Sequence, residues 1–258
     1  MLDIEQIQNF YPDYLKPFKR NLLREYLQYK ILESIFDSKF GDFLSFMGGT
    51  AIHIIHGNSR FSEDLDFDNL GLNKRDFEEM TGFIAERLGK EGYSVEIKNV
   101  FTGASTAYIK IIGVLQRYGI SKNKEEKLLI KIDAEPQNFK YESEKIIINK
   151  FDVLTRIKVV PVDILLSQKL YAIIMRKRPM GRDFFDTLFL FGKTKPNMVY
   201  LRRKLKIKDA KELKKKLLQK CQELDFKQLS KDTEQFLFIP EHSKKILLFN
   251  EYIEKAIF

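Results

Sequence analysis

"FMGGTAIHIIHGNSRFSEDLDFDN", residues 46–69, puts the only glycine pair of the chain at one end and three alternate aspartates, Asp64, Asp66 and Asp68, at the other. "DFLSFM" before the pair reads as a short buried strand. "TAIHIIHG" reads as a two-turn helix stopped by Gly57, and "SEDLDFDN" alternates polar and apolar residues as a strand does. Because side chains alternate across a strand, Asp64 and Asp66 share one face and Leu65 and Phe67 the other, while Asp68 and Asn69 suit a turn. Two neighbouring carboxylates repel. A hard divalent cation such as Mg²⁺, which takes oxygen ligands and keeps positions for phosphate and water, would neutralise them; a solvated strand edge is the simpler alternative. The Gly48-Gly49-Thr50 turn lets backbone approach a ligand, offers amides at a helix N-terminus and adds a hydroxyl, which together make a phosphate cradle or, more simply, a tight turn with Thr50 as N-cap. Thirteen residues separate Thr50 from Asp64, enough for one short helix and a return that sets the cradle beside the carboxylates.

Working outward, apolar residues from Phe18 to Phe36 recur at three- and four-residue spacing and predict an amphipathic helix. "NKRDFEEMTGFIAERLGKEG" predicts a second, with Asn73 at its start and Gly92 beyond its end. Between about Tyr93 and Val160 the pattern is of strands: "YSVEIKNV", "TAYIKIIGVL", "KLLIKIDAE", "KIIIN" and "VLTRIKVV". After Pro161, "VDILLSQKLYAIIMRKR", "RDFFDTLFLF", a lysine-rich segment around 209–222 and "SKKILLFNEYIEKAIF" read as helices. The expected organisation is an α/β (α+β) domain over 1–160 and a helical domain over 161–258.

The net charge of +9 is concentrated: residues 202–220 hold ten basic and two acidic residues and carry +8 of it. That patch suits phosphate-rich partners or a plain solvated surface; charge alone does not choose. A single cysteine, Cys221, excludes an intrachain disulfide and any multi-cysteine metal site, in keeping with a reducing compartment. The N-terminus has no signal-peptide pattern and no run approaches the ~20 apolar residues a membrane helix needs, so a cytoplasmic location is expected. His53 and His56 stand one helical turn apart, but without further histidine or cysteine nearby they read as packing or surface residues, not zinc ligands.

Gly48, Gly49, Thr50, Arg60, Ser62, Asp64, Asp66 and Phe67 together resemble the "GGTA…R-x-S-x-D-x-D-F" signature of the AbiEii/AbiGii-type nucleotidyltransferase toxins, a branch of the polymerase-β-like nucleotidyltransferase superfamily. A second block, Lys169, Leu170, Ala172, Arg176, Arg182, Asp183 and Asp186, is similar to that family's later "K-L-x-A…R…R-D-x-x-D" motif. On a helix, Lys169, Ala172 and Arg176 would form one cationic stripe. Asp183 and Asp186 would favour a helix dipole or, in the family reading, orient Lys169, Arg176 or nucleotide.

The resemblance implies a mixed-sheet nucleotidyltransferase lobe followed by a helical lobe that completes the nucleotide site and binds the acceptor. It implies a two-metal Mg²⁺ site on Asp64 and Asp66, with Gly48, Gly49, Thr50, Arg60, Ser62, Lys169, Arg176, Asp183 and Asp186 binding the nucleoside triphosphate. It also implies a third carboxylate on a neighbouring strand. Asp133 is the candidate, sharing a face with Leu129 and Lys131, and Asp152 and Glu135 compete with it. The expected activity is transfer of a nucleoside monophosphate to RNA, the tRNA 3′ end in the first place, stopping translation, with an antitoxin as partner. Lys211, Lys214, Lys215 and Lys216 would hold the RNA. Transfer to a small molecule or a protein hydroxyl is the alternative, and a non-catalytic nucleic-acid-binding or antitoxin-like module is the alternative of another class.

Overall fold

The computed structural model describes residues 1–256; Ile257 and Phe258, at the end of the last predicted helical segment, lie outside the described residues. The chain divides into two compact units, Met1–Ala51 with Ser62–Val160, and Ile52–Phe61 with the chain from Pro161 onward. Val160 and Pro161 therefore fall on either side of the division, and ten residues of the opening stretch belong with the second unit.

Unit 1 is built on one mixed sheet of seven strands: β1 (Leu44–Met47), β2 (Leu65–Asn69), β3 (Ser94–Val100), β4 (Ser105–Ile112), β5 (Leu128–Glu135), β6 (Glu144–Lys150) and β7 (Val153–Val159), in the order β3-β4-β5-β2-β1-β7-β6. β1 runs antiparallel to β2 and parallel to β7; β2 is parallel to β5; β3, β4 and β5 form an antiparallel meander, and β6 and β7 a hairpin. Its helices are α1 (Ile4–Gln8), α2 (Lys19–Phe36), α4 (Lys74–Lys90) and α5 (Val114–Arg117); α3 (Gly48–His56) begins in unit 1 and ends in unit 2. Alternation decides the faces. Leu65, Phe67, Ile130, Ile132, Ala107, Ile109 and Ile157 are all buried, with Leu23, Leu27 and Ile31 of α2 and Phe77 and Ile84 of α4. Each of the Leu, Ile and Phe side chains contributes about 1.5–3 kcal/mol on burial. α2 lies over β7 and α4 over β3. Asn73 caps α4 by accepting from the Asp76 amide at 2.9 Å, as its position in the sequence predicts. The predicted strand "TAYIKIIGVL" ends early: β4 stops at Ile112, the chain turns at Gly113, and Val114 and Leu115 bury themselves from the short helix α5.

Unit 2 is helical: α6 (Val162–Met175), α7 (Gly181–Phe191), α8 (Met198–Leu205), α9 (Ala210–Gln222), α10 (Phe226–Glu234) and α11 (Phe249–Lys255). α6 ends three residues before the predicted segment does. Arg176 leaves the helix with extended backbone (φ −68°, ψ 134°), and Pro179 disfavours helix in the residue before it. "SKKILLFNEYIEKAIF" is not one helix but the end of a 3-10 run, Pro240–Leu248, followed by α11. Phe184 of α7 packs edge-on against Phe226 and Phe249 at 5.3 and 4.8 Å between ring centres. Residues 52–61 join this unit through backbone: the Phe61 amide donates to the Phe236 carbonyl at 2.7 Å, the Phe238 amide to that of Ser59 at 3.2 Å, and Arg60 bridges Leu237. Gly181 is required by contact, since a Cβ there would overlap the Leu229 carbonyl and the Thr233 hydroxyl of α10.

Candidate active site

In unit 1 the carboxylates meet by register. Asp66 of β2 lies opposite Asp133 of β5, and Asp133 in turn opposite Thr106 of β4. Asp64, two residues before Asp66, precedes the strand. Asp64, Asp66 and Asp133 are all half-buried, on the face opposite the buried Leu65, Phe67, Ile130 and Ile132. The Thr106 hydroxyl donates to Asp133 Oδ1 at 2.6 Å, and Lys131 Nζ lies 2.5 Å from Asp133 Oδ2. The hydrogen bond to Asp133 holds the Lys131 ammonium above its ordinary range. Asp68 is different: it is buried and accepts from the Gln137 amide at 2.8 Å and the Tyr141 hydroxyl at 2.7 Å, so it fastens the segment after β5. Of the competitors for the third position, Glu135 lies opposite Asp68 at the end of β5, and Asp152 pairs with the N-terminal ammonium and Lys30, both at 3.8 Å.

The glycine turn lies against these acids. Gly48 has φ +77°, and a Cβ there would overlap the Asp66 carboxylate, so glycine is needed twice over. α3 starts at Gly48, and helix geometry leaves the amides of its first turn without intrahelical acceptors. Thr50 is fully buried and its hydroxyl donates to the Asp64 carbonyl, tying the helix start to the residue that opens β2. On the other side Gln28, buried on α2, donates to the carbonyls of Ser62 and Glu63 at 3.1 and 3.0 Å, and Arg24 pairs with Glu63 at 2.7 Å. The approach to Asp64 is thus held from both sides.

Unit 2 contains a separate charged cluster. Asp186, fully buried, takes both Arg60 Nε (2.6 Å) and Nη2 (2.7 Å), the Asn58 amide (2.8 Å) and the Lys169 ammonium (2.9 Å). Lys169 also reaches Asp183 at 3.0 Å, and Arg176 reaches the other oxygen of Asp183 at 2.6 Å. Burial alone pushes the Asp186 carboxyl up, but Arg60 and Lys169 outweigh it and hold it at about 2. Burial likewise pushes Lys169 down, and Asp186 and Asp183 reverse this, so the ammonium is held above its ordinary range. Arg176 reaches Asp183 from beyond the end of α6 instead of from a continuous helical stripe.

A family model described as "Nucleotidyl transferase AbiEii toxin, Type IV TA system" matches residues 30–249. The chain belongs to this AbiEii family. It is a nucleotidyl transfer enzyme of a toxin–antitoxin system. No curated protein matches the chain. The fold is similar to that of JHP933 from Helicobacter pylori, at 18% identity and a TM-score of 0.54 over 92% of each chain. It is equally similar to a Helicobacter pylori protein assigned, not established, as a nucleotidyltransferase, at 19% identity and a TM-score of 0.54 over 93% of this chain and 98% of that one. Among the described residues no helix is long and apolar enough to cross a membrane.

Asp64, Asp66 and Asp133 are the residues of the unit 1 sheet face that could hold a divalent cation. Their oxygens are the donors Mg²⁺ takes, and the space a Cβ would fill at Gly48 lies against Asp66. As the side chains stand, however, no three His, Cys, Asp or Glu among the described residues converge closely enough to hold a metal ion. The basic segment divides in the same concrete way. Lys211 and Lys215 are exposed on α9, as are Arg202, Arg203, Lys206 and Lys208 before it. Lys214 instead donates to the Glu254 and Ala256 carbonyls at the end of α11, and Lys216 donates to the Leu205 carbonyl at 3.4 Å. His53 contacts the Asn58 carbonyl at 2.7 Å and the Phe238 ring edge-on, and burial holds His56 below its ordinary range. Gln28, Asn58 and Thr106 are the positioning residues that sequence reading missed, whereas alternation had already put Lys131 on the face of Asp133.

Proposed function

We propose that this AbiEii-family toxin is a Mg²⁺-dependent enzyme that transfers a nucleoside monophosphate from a nucleoside triphosphate to an RNA acceptor, the 3′ end of tRNA, releasing pyrophosphate and stopping translation in the cytoplasm, under control of a partner antitoxin. The observation that carries the reading is the close approach of the Gly48 turn to Asp66, with Asp133 in register beside it. The glycine turn and the carboxylates thereby share one locus of unit 1. The amides of Gly48, Gly49 and Thr50 are assigned to the β- and γ-phosphates. The Thr50 hydroxyl, already donating to Asp64, serves the turn itself. Mg²⁺ on Asp64, Asp66 and Asp133 supplies charge neutralisation at the attacking and leaving oxygens when bound. Asp133, oriented by Thr106, is also the candidate acceptor for the proton of the attacking hydroxyl. The roles of Lys169 and Arg176 in binding the triphosphate's charge, and of Arg60, Ser62, Asp183 and Asp186 around it, rest on the resemblance of the two sequence blocks.

The RNA acceptor is supported by the exposed cations of α8 and α9. Transfer to a small molecule or protein hydroxyl is favoured instead by the engagement of Lys214 and Lys216 within the chain. Incubating the purified protein with Mg²⁺, each labelled nucleoside triphosphate in turn, and total RNA separates the two. Label is expected on RNA, with Asp66→Asn lowering it at least about a hundredfold at unchanged thermal stability. Label on the protein or a small acceptor would replace the RNA reading, and full activity in Asp66→Asn would overturn the metal assignment.

A further inference from the structure

The face of β5 that carries Asp133 also carries Lys131, two residues earlier and on the same side by strand alternation. Register sets Lys131 opposite Tyr108 and Asp133 opposite Thr106 on β4. With Thr106 donating to Oδ1 at 2.6 Å and Lys131 standing 2.5 Å from Oδ2, both oxygens of Asp133 are engaged. An ammonium and a divalent cation cannot share one carboxylate oxygen without strong repulsion. The pair is open to water, with side-chain exposures of 32% for Lys131 and 24% for Asp133, and ion pairs that wet are weak enough to exchange.

We propose that Lys131 is a resident counter-ion of the carboxylate face, an ammonium that occupies Asp133 in the metal-free protein and withdraws when Asp133 joins Asp64 and Asp66 on a divalent cation. The inference rests on the metal reading above and adds a device to it. Metal must compete with a built-in cation, so Lys131 lowers metal affinity while stabilising the empty site. A four-carbon stem with one compact charge suits this role, because it can leave the carboxylate without disturbing the strand.

The test is Mn²⁺ binding to the full chain without nucleotide, by calorimetry or by the spin signal of free Mn²⁺, together with thermal unfolding in chelator and in Mn²⁺. Lys131→Met should tighten Mn²⁺ binding by about five- to tenfold. It should also lower the melting temperature in chelator, and so enlarge the gain on adding metal. Lys131→Gln provides a second neutral variant should the methionine disturb folding. Lys131→Arg, which keeps the charge and can fork onto the carboxylate, should not tighten Mn²⁺ binding. Lys110→Met is the charge control, since Lys110 sits opposite Leu129 on the neighbouring strand. Unchanged affinity in both neutral Lys131 variants, or an equal gain in Lys110→Met, would overturn the inference while leaving the metal reading intact, provided Asp66→Asn abolishes binding. No Mn²⁺ binding by the wild type, or undiminished binding by Asp66→Asn, would overturn both.

Discussion

Asp186 of unit 2 and Asp133 of unit 1 are both carboxylates facing a lysine, yet Asp186 is fully buried among Arg60, Lys169 and Asn58, and Asp133 is 24% exposed beside Lys131 and Thr106. Burial changes what the same pairing can do. Removing two charges from water is costly, and inside unit 2 that cost is offset only because every charge is met with good geometry. Such a cluster locks side chains in place and resists exchange. On the sheet face of unit 1 water pays most of the solvation, the pair is worth little, and the carboxylate stays available to a stronger cation. The buried cluster fixes Arg60 and Lys169 in position, and the exposed face can change partners.

The largest expected effect tests that division directly. Asp186→Ala leaves Arg60 and Lys169 buried without their shared counter-charge and should cost about 3–5 kcal/mol of stability in a denaturant titration. Asp66→Ala should cost little or even stabilise, because it removes one of several like charges. Equal losses would erase the contrast between the units. The same carboxylate sets an acid limit. Its folded value of about 2 lies below its unfolded one. Its contribution is therefore fully present above the unfolded value, near pH 4, and is lost as pH falls toward 2. By linkage that contribution is about 2 kcal/mol. Stability measured from pH 5 to 2 should fall by about that much more in wild type than in Asp186→Asn.

How much of this was legible in the sequence follows the range of the interactions. The strand, glycine turn, helix and strand of residues 44–69 were readable because each rests on local pattern, and so was the shared face of Lys131 and Asp133, which alternation fixes. The parallel pairing of β2 with β5 was not, because nothing within either strand encodes its partner. Nor was the membership of residues 52–61 in unit 2, which depends on Arg60 finding Asp186 some 126 residues later. α10 gave no clear signal, and its place depends on Gly181 allowing close approach. Gln28 is buried on α2 for a reason visible only once Ser62 and Glu63 are beside it.

A pair of glycines sharpens the comparison at intermediate size. Gly48 and Gly57 have nearly the same backbone, φ +77° and +76°, but a Cβ would overlap Asp66 at the first and meets nothing within 4 Å at the second. Gly57→Ala should cost about 1–2 kcal/mol from the left-handed backbone alone and leave Mn²⁺ affinity unchanged. Gly48→Ala carries the same backbone cost and also displaces the carboxylate, so its stability loss should be larger and its Mn²⁺ binding should fail. If the two variants bound Mn²⁺ alike, the glycine turn would have no part in the metal site.

The smallest effect lies on α9, where the same contrast between engaged and available charge recurs among lysines. Lys214 donates to two carbonyls at the end of α11, whereas Lys211 and Lys215 are exposed. Lys214→Gln should lower stability by about 1 kcal/mol by loosening that end, with little change in how RNA affinity depends on salt. The double variant Lys211→Gln, Lys215→Gln should leave stability within about 0.5 kcal/mol, since glutamine is nearly as good a helix former and the buried stripe of Leu213, Leu217 and Cys221 is untouched. If those two ammoniums contact phosphates, the slope of log affinity against log salt should flatten by about 1.4–1.8. RNA titrations at several salt concentrations give that slope. A double variant with the wild-type slope would make the exposed row ordinary solvated surface and turn the search for the acceptor toward small molecules and protein hydroxyls.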